Sequence, residues 1–221
     1  MTSLKPVILD IRRQSAYFPY FILLSDDLQA IDSTVLKSVH DAIDKPVDID
    51  EFEVVIDNAQ RHCDLINNLR DPSEDFPSAG GIVSKSAFCQ LFLSSIDRSD
   101  RYAEDAYFMF VSIRNYADIL EMDGAYSADF VAAQLGKRIV DIHRQTDIIG
   151  QTGKGEFSIL LRAPLDNKEP LDAINRFSQA LAEEHLVGEP NIGPIEVELS
   201  LISIPKCNKM IEHLVTFERI R

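Results

Sequence analysis

Arg144-Gln145-Thr146-Asp147 is followed, after five residues, by Gly153-Lys154-Gly155-Glu156-Phe157. The runs flanking the second segment, Ile148 to Thr152 and Phe157 to Arg162, are apolar and of strand length, so Gly153-Lys154-Gly155 reads as the turn of a β-hairpin. Outward from that hairpin the periodicity predicts helices over Ser84 to Arg98, Asp118 to Leu120, Ser127 to His143 and Pro170 to Glu184, with strands at Tyr107 to Ile113 and Glu196 to Ile204. The last strand alternates Val197, Leu199 and Leu201 with Glu196, Glu198 and Ser200, as an antiparallel strand with one wet face does. The order gives an α/β (α+β) fold, a mostly antiparallel sheet flanked by helices.

A loop from Asp71 to Gly81, with Pro72, Pro77 and a Gly-Gly pair, carries no apolar period and separates residues 1–70 from 82–221. In the first part, Pro6 to Ile11, Tyr20 to Ser25 and Ala42 to Asp44 read as strands, Ser33 to His40 as a helix and Asp50 to Leu69 as a long helix. Along that long helix Ile49, Phe52, Ile56, Ala59, Cys63 and Ile66 repeat at alternating spacings of three and four, the pattern of a heptad seam. Two readings stay open. The stripe either forms a homodimer contact through helix 50–69, or it packs on its own sheet.

The 45% hydrophobic and 26% charged composition of 221 residues supports cores in two units and excludes a disordered chain. A net charge of −14 argues against a protein that neutralises many phosphates, so no nucleic acid and no anionic membrane surface is expected as partner. The longest apolar runs are strand-length, so no membrane insertion is expected. With no charged-then-apolar leader, and with three scattered cysteines (Cys63, Cys89, Cys207) outside any Cys-x-x-Cys spacing, a cytoplasmic protein with reduced thiols is expected. The histidines at 40, 62, 143, 185 and 213 show no metal-ligand spacing, and no metal site is predicted.

From Pro77 to about Pro205 the element order and the segments above resemble the GGDEF family of diguanylate cyclases. The resemblance implies a loop that has lost its catalytic residues. Where active members place a magnesium-binding aspartate at a strand end, Ser112 stands in Val-Ser-Ile-Arg, and where an asparagine reads the substrate guanine, Leu120 stands. Gly124 survives from a Gly-His pair whose histidine is Ala125, and a Gly-Asp pair has become Ala128-Asp129. In the signature, Gly153, Glu156 and Phe157 match, while Lys154 replaces a glycine and Gly155 replaces the second metal-binding carboxylate. The opening segment of the family is reduced to Gly81-Ile82 with Ser84 and Lys85, and the chain stops at Arg221 before the closing helix of the family would be complete. Phosphodiester formation from two triphosphates needs magnesium, for which carboxylates are the usual ligands, so an enzyme is not expected.

The same resemblance implies a regulatory site, an Arg-x-x-Asp set whose aspartate lies six residues before the signature glycine, and Asp147 to Gly153 meets that spacing. A guanidinium can reach guanine O6 and N7 as a fork, while a carboxylate accepts from the N1 and N2 donors. Arg176 on the next helix matches the second arginine of such sites. Arg144, Asp147 and Arg176 are therefore the expected ligand-binding set for cyclic di-GMP, with no cofactor. The plainer alternative for Arg144 and Asp147 is an exposed i,i+3 ion pair of little energetic weight.

The segment from Tyr20 to Phe52 resembles the last third of a response-regulator receiver domain, with Ser25 and Lys45 at its phosphoryl-contacting places and Asp10 able to imitate a phosphoacceptor at a strand end. Too little chain precedes Ser25 for the early strands, so a truncated remnant that is not phosphorylated is expected. Two functions follow: a non-catalytic cyclic di-GMP effector that acts through an unidentified protein partner, or a scaffold of receiver and GGDEF remnants that binds partners without nucleotide. A residual GTP-binding enzyme, resting on Asp129, Lys154 and Glu156, is a distant third.

Overall fold

The computed structural model describes residues 4–14, 19–36, 38–102, 104–161, 169–183, 194–204 and 211–217. They form α1 (Leu4–Gln14), β1 (Ile22–Ser25), a 3-10 turn (Leu28–Ala30), α2 (Ser33–Leu36), β2 (Asp41–Asp44), α3 (Ile49–Arg70), β3 (Ile82–Val83), α4 (Lys85–Tyr102), β4 (Ala106–Ile113), α5 (Tyr116–Ile142), β5 (Ile148–Gly153), β6 (Glu156–Leu161), α6 (Glu169–Glu183), β7 (Ile195–Ile204) and β8 (Ile211–Phe217). The chain divides into two compact units, one of residues 1–71, 93–106 and 203–210 and one of 72–92, 107–202 and 211–221. Among the described residues no helix is long and apolar enough to cross a membrane.

In the first unit β1 and β2 pair in parallel. Asp48 caps α3, accepting from the backbone N–H groups of Asp50 and Glu51, whose own carboxylates suit the positive end of the helix. Two expectations fail here. Pro6 to Ile11 is helical, because Leu4, Val7, Ile8 and Ile11 follow a helical spacing and Pro6 falls in the first turn, where its missing N–H is not needed. Asp10 is thus not at a strand end. The predicted helix from Ser33 to His40 is also shorter, ending at Leu36.

The α3 stripe splits. Val55, His62, Ile66 and Leu69 are buried, so Ile66 is already covered within a single chain, whereas Ile49, Phe52 and Ile56 are exposed. A continuous seam through all six positions is therefore not available to a second chain.

The second unit holds a six-stranded sheet in the order β3-β5-β6-β4-β7-β8. Its centre is a βαββαβ unit: β4 runs antiparallel to β6, and β5 antiparallel to β6, so the α5 crossover joins two strands of the same direction. Phe108, Met109, Phe110 and Val111 are all buried, which places β4 in the interior with both faces covered. The mixed α/β architecture with a mostly antiparallel sheet is as the sequence predicts.

The two helices expected on either side of Gly124 adjoin within α5 and are broken at Gly124, whose φ +85 and ψ +169 are non-helical and readily adopted only by glycine. Three details differ. Ile82 and Val83 form an edge strand parallel to β5. Ser200, expected on a wet face, is buried. Finally, residues 211–217 add β8 antiparallel to β7, beyond the last strand expected from the sequence. Arg162, His185 and Cys207 lie outside the described residues.

Candidate functional site

The hairpin closes as predicted, with Gly153 opposite Glu156 and a register shift between Gln151 and Gly153. Phe157 is 2% exposed and packs so tightly on Gly136 of α5 that a Cβ there would come within 2.9 Å of the ring. The signature phenylalanine therefore anchors the hairpin to the helix. Gly155 has φ +69 and is buried, and a Cβ on it would lie 2.8 Å from Cδ2 of Tyr116 and 3.2 Å from Cδ1 of Ile113. A carboxylate at this position faces both backbone strain and occupied space.

Tyr116, at the start of α5, closes this corner. Its hydroxyl donates to Asp129 Oδ1 at 2.9 Å. Burial, then the Asp129 carboxylate, pushes its phenol up to about 12. The neighbouring Asn115 locks the strand end, with Nδ2 donating to the Pro194 carbonyl at 2.7 Å and Oδ1 accepting from Glu196 N at 2.9 Å. No pattern in a single sequence distinguishes Tyr116 from any aromatic at a helix start.

Ser112, half-buried, sits opposite Glu156 in the β4–β6 ladder. Burial raises the Glu156 carboxyl, and the charge of Lys85 lowers it in part. Lys85 is itself only 7% exposed at the start of α4, where Asp75 caps the helix by accepting from Ser86 N and Oγ at 3.0 and 2.9 Å. Those hydrogen bonds hold Asp75 below its ordinary range. At the hairpin tip Lys154 is 3.7 Å from Glu74, both more than half exposed, a pair of little energetic weight. Leu120 is 42% exposed, an apolar side chain without a polar handle. Among the described residues no three His, Cys, Asp or Glu side chains gather into a set able to hold a metal ion.

Arg144 and Asp147 come together in one turn between α5 and β5. Arg144 is exposed, but Asp147 is 8% exposed, and its Oδ2 accepts from the backbone N–H of Arg144 at 3.2 Å while its own N–H donates to the Arg144 carbonyl at 2.9 Å. The motif is thus a closed turn and not a simple exposed ion pair. Arg176 lies on α6, half-buried, with its guanidinium carbon 5.6 Å over the ring of Phe177. Strand directions make α5 and α6 antiparallel, and Arg138 Nη2 donates to the Ala180 carbonyl at 3.2 Å. From that crossing, the route along α5 to Arg144 and the route back along α6 to Arg176 lead toward the same end of the helix pair.

In the first unit, Ser25 and Lys45 are engaged locally. Ser25 Oγ donates to the Asp27 carbonyl and accepts from Asp27 N, and Lys45 Nζ lies 3.6 Å from Asp26.

The profile of the family described as "Diguanylate cyclase, GGDEF domain" matches residues 78–215, more than half of the chain. The chain belongs to the GGDEF family. Among solved structures it is similar to the diguanylate cyclase SiaD of Pseudomonas aeruginosa, crystallised with its activator SiaC, at 15% identity and a TM-score of 0.51, covering 72% of this chain and 61% of that one. It is also similar to the GGDEF domain of DgcB from Caulobacter crescentus, crystallised with c-di-GMP, at 12% identity and a TM-score of 0.50, covering 63% of this chain and 84% of that one. At these identities the likeness establishes the GGDEF fold. No curated protein matches the chain.

Proposed function

We propose that this GGDEF protein is a non-catalytic effector that binds cyclic di-GMP through Arg144, Asp147 and Arg176. The observation that carries the reading is the contrast at the two metal-carboxylate positions of the family: Ser112 offers a hydroxyl, and Gly155 offers no side chain and is covered by Tyr116. Two GTP molecules could not be joined there without carboxylates to hold magnesium against the triphosphates. Leu120 further removes an amide from the place where a substrate guanine would be read.

For the ligand site, the antiparallel α5–α6 pair brings Arg176 toward the turn that displays Arg144. Guanine would take the Arg144 or Arg176 fork at O6 and N7, and Asp147 at N1 and N2, using the carboxylate oxygen not engaged by Arg144 N. That a GGDEF domain of this fold was crystallised with c-di-GMP supports the choice of ligand. Ligand held in this way would tie the end of α5 to α6, and a protein partner would read the change.

The scaffold alternative has its own support, because the buried Asp147 already has a structural task as the cap of its turn. A two-part test separates them. Protein incubated with GTP and magnesium or manganese should give no cyclic di-GMP on chromatography, and saturating cyclic di-GMP should raise the melting temperature of the wild type. Product above trace level would overturn the non-catalytic reading; an unchanged melting temperature would leave the scaffold.

A further inference from the structure

Ile49, Phe52 and Ile56 are 73%, 36% and 41% exposed, and their spacings of three and four confine them to a strip about 60° wide on α3. This strip flanks the buried face of Val55, His62, Ile66 and Leu69 rather than continuing it. Three large apolar side chains in a row on a water-facing surface mark a place that something covers.

The charges beside the strip identify what. Between Asp48 and Asp64 the helix carries six carboxylates against one guanidinium, Arg61. Asp48, Asp50 and Glu51 are accounted for by the helix start, as cap and first-turn acids. Glu53, Asp57 and Asp64 are not. All three are exposed and lie in a file along one side of the strip, with Glu53 and Asp57 at an i,i+4 spacing where like charges cost stability. In a parallel pair of α3 helices Asp48 would face Glu53 of the other chain, carboxylate against carboxylate, and Asp57 and Asp64, on the outer side of that seam, would meet no cation. A cationic partner would instead attract all three carboxylates of the file.

We propose that the Ile49, Phe52 and Ile56 face of α3 docks a basic amphipathic helix of a partner protein, apolar residues meeting the strip and lysines or arginines meeting Glu53, Asp57 and Asp64. The surface belongs to the first unit and stands independently of the nucleotide reading.

The test is to pan a displayed library of helical three-heptad peptides of random sequence against the full chain, then titrate the enriched peptides by fluorescence anisotropy. The enriched sequences should be net positive, with apolar residues spaced three and four apart, and their binding should weaken as salt rises. Phe52→Glu with Ile56→Glu should weaken them by about tenfold or more. Glu53→Lys with Asp57→Lys, which leaves the strip intact, should weaken them as well, with circular dichroism verifying that both variants remain folded. Enrichment of neutral or acidic peptides, or undiminished binding to both variants, would overturn the proposal. So would a wild-type dimer in sedimentation that Phe52→Glu dissolves, because the face would then belong to a second copy.

Discussion

Two turns flank β5 at its opposite ends, Asp147 only six residues before Gly153, and they have different chemistry. The turn at Gly153 to Phe157 keeps the residues that shape a hairpin: Gly155 at φ +69 and Phe157 buried against Gly136. Gly155 carries no side chain, and Tyr116 lies against the position one would take. The turn at Arg144 to Asp147 keeps its charged residues, and Asp147 is held in place by the backbone it caps. The first turn is held by glycine conformation and apolar packing; in the second the Asp147 carboxylate and the backbone of the turn depend on each other.

The largest effect expected from this contrast is structural. Phe157→Ala should cost about 3–5 kcal/mol, as loss of a buried aromatic does, and should lower the denaturant midpoint of the whole second unit. A cost under about 1 kcal/mol would mean that the signature turn is not an anchor.

Next comes Gly155→Asp, expected to cost about 1–3 kcal/mol from positive φ and the crowding by Tyr116. In a Tyr116→Ala background the same change should cost less, because the space is then open, and the coupling can be read from a double-mutant cycle. Joined to Ser112→Asp, it should still yield no cyclic di-GMP from GTP, since Leu120 remains.

For the other turn, Asp147→Ala should lose the cap as well as any ligand contact, costing about 1 kcal/mol of stability. Asp147→Asn keeps an acceptor for Arg144 N but offers guanine no carboxylate. Equal melting temperatures for wild type and Asp147→Asn, with weaker ligand binding in the variant, would separate the two tasks of this residue.

The smallest effect concerns Tyr116. With its phenol raised from 10.0 to about 12, the folded protein holds a proton that the unfolded chain releases first, so its contribution to stability is present below pH 10 and declines as pH rises from 10 toward 12. Asp129→Asn removes the carboxylate that helps raise it, and an ultraviolet titration should show this tyrosine ionising earlier.

Most of the second unit was legible because its segments are long and strongly periodic: the hairpin, the two flanking helices and the buried β4 follow from apolar spacing and one glycine-rich turn. The first unit misled where segments are short. Pro6 to Ile11 is apolar enough for a strand, and only the spacing of Leu4, Val7, Ile8 and Ile11 betrays the helix. The site was legible in its residue types but not in its packing. That Tyr116 covers Gly155 and that Lys85 is buried beside Glu156 are consequences of contacts between distant segments, which no local pattern encodes.

The central claim is that the Arg144 turn binds ligand although the signature turn performs no chemistry. Isothermal titration of the full chain with cyclic di-GMP tests it most directly, in wild type and in Arg144→Ala. Saturable heat in the wild type, weakened by about 1–3 kcal/mol in Arg144→Ala, is the predicted result. Absence of heat in the wild type, or equal affinity in the two proteins, would contradict it.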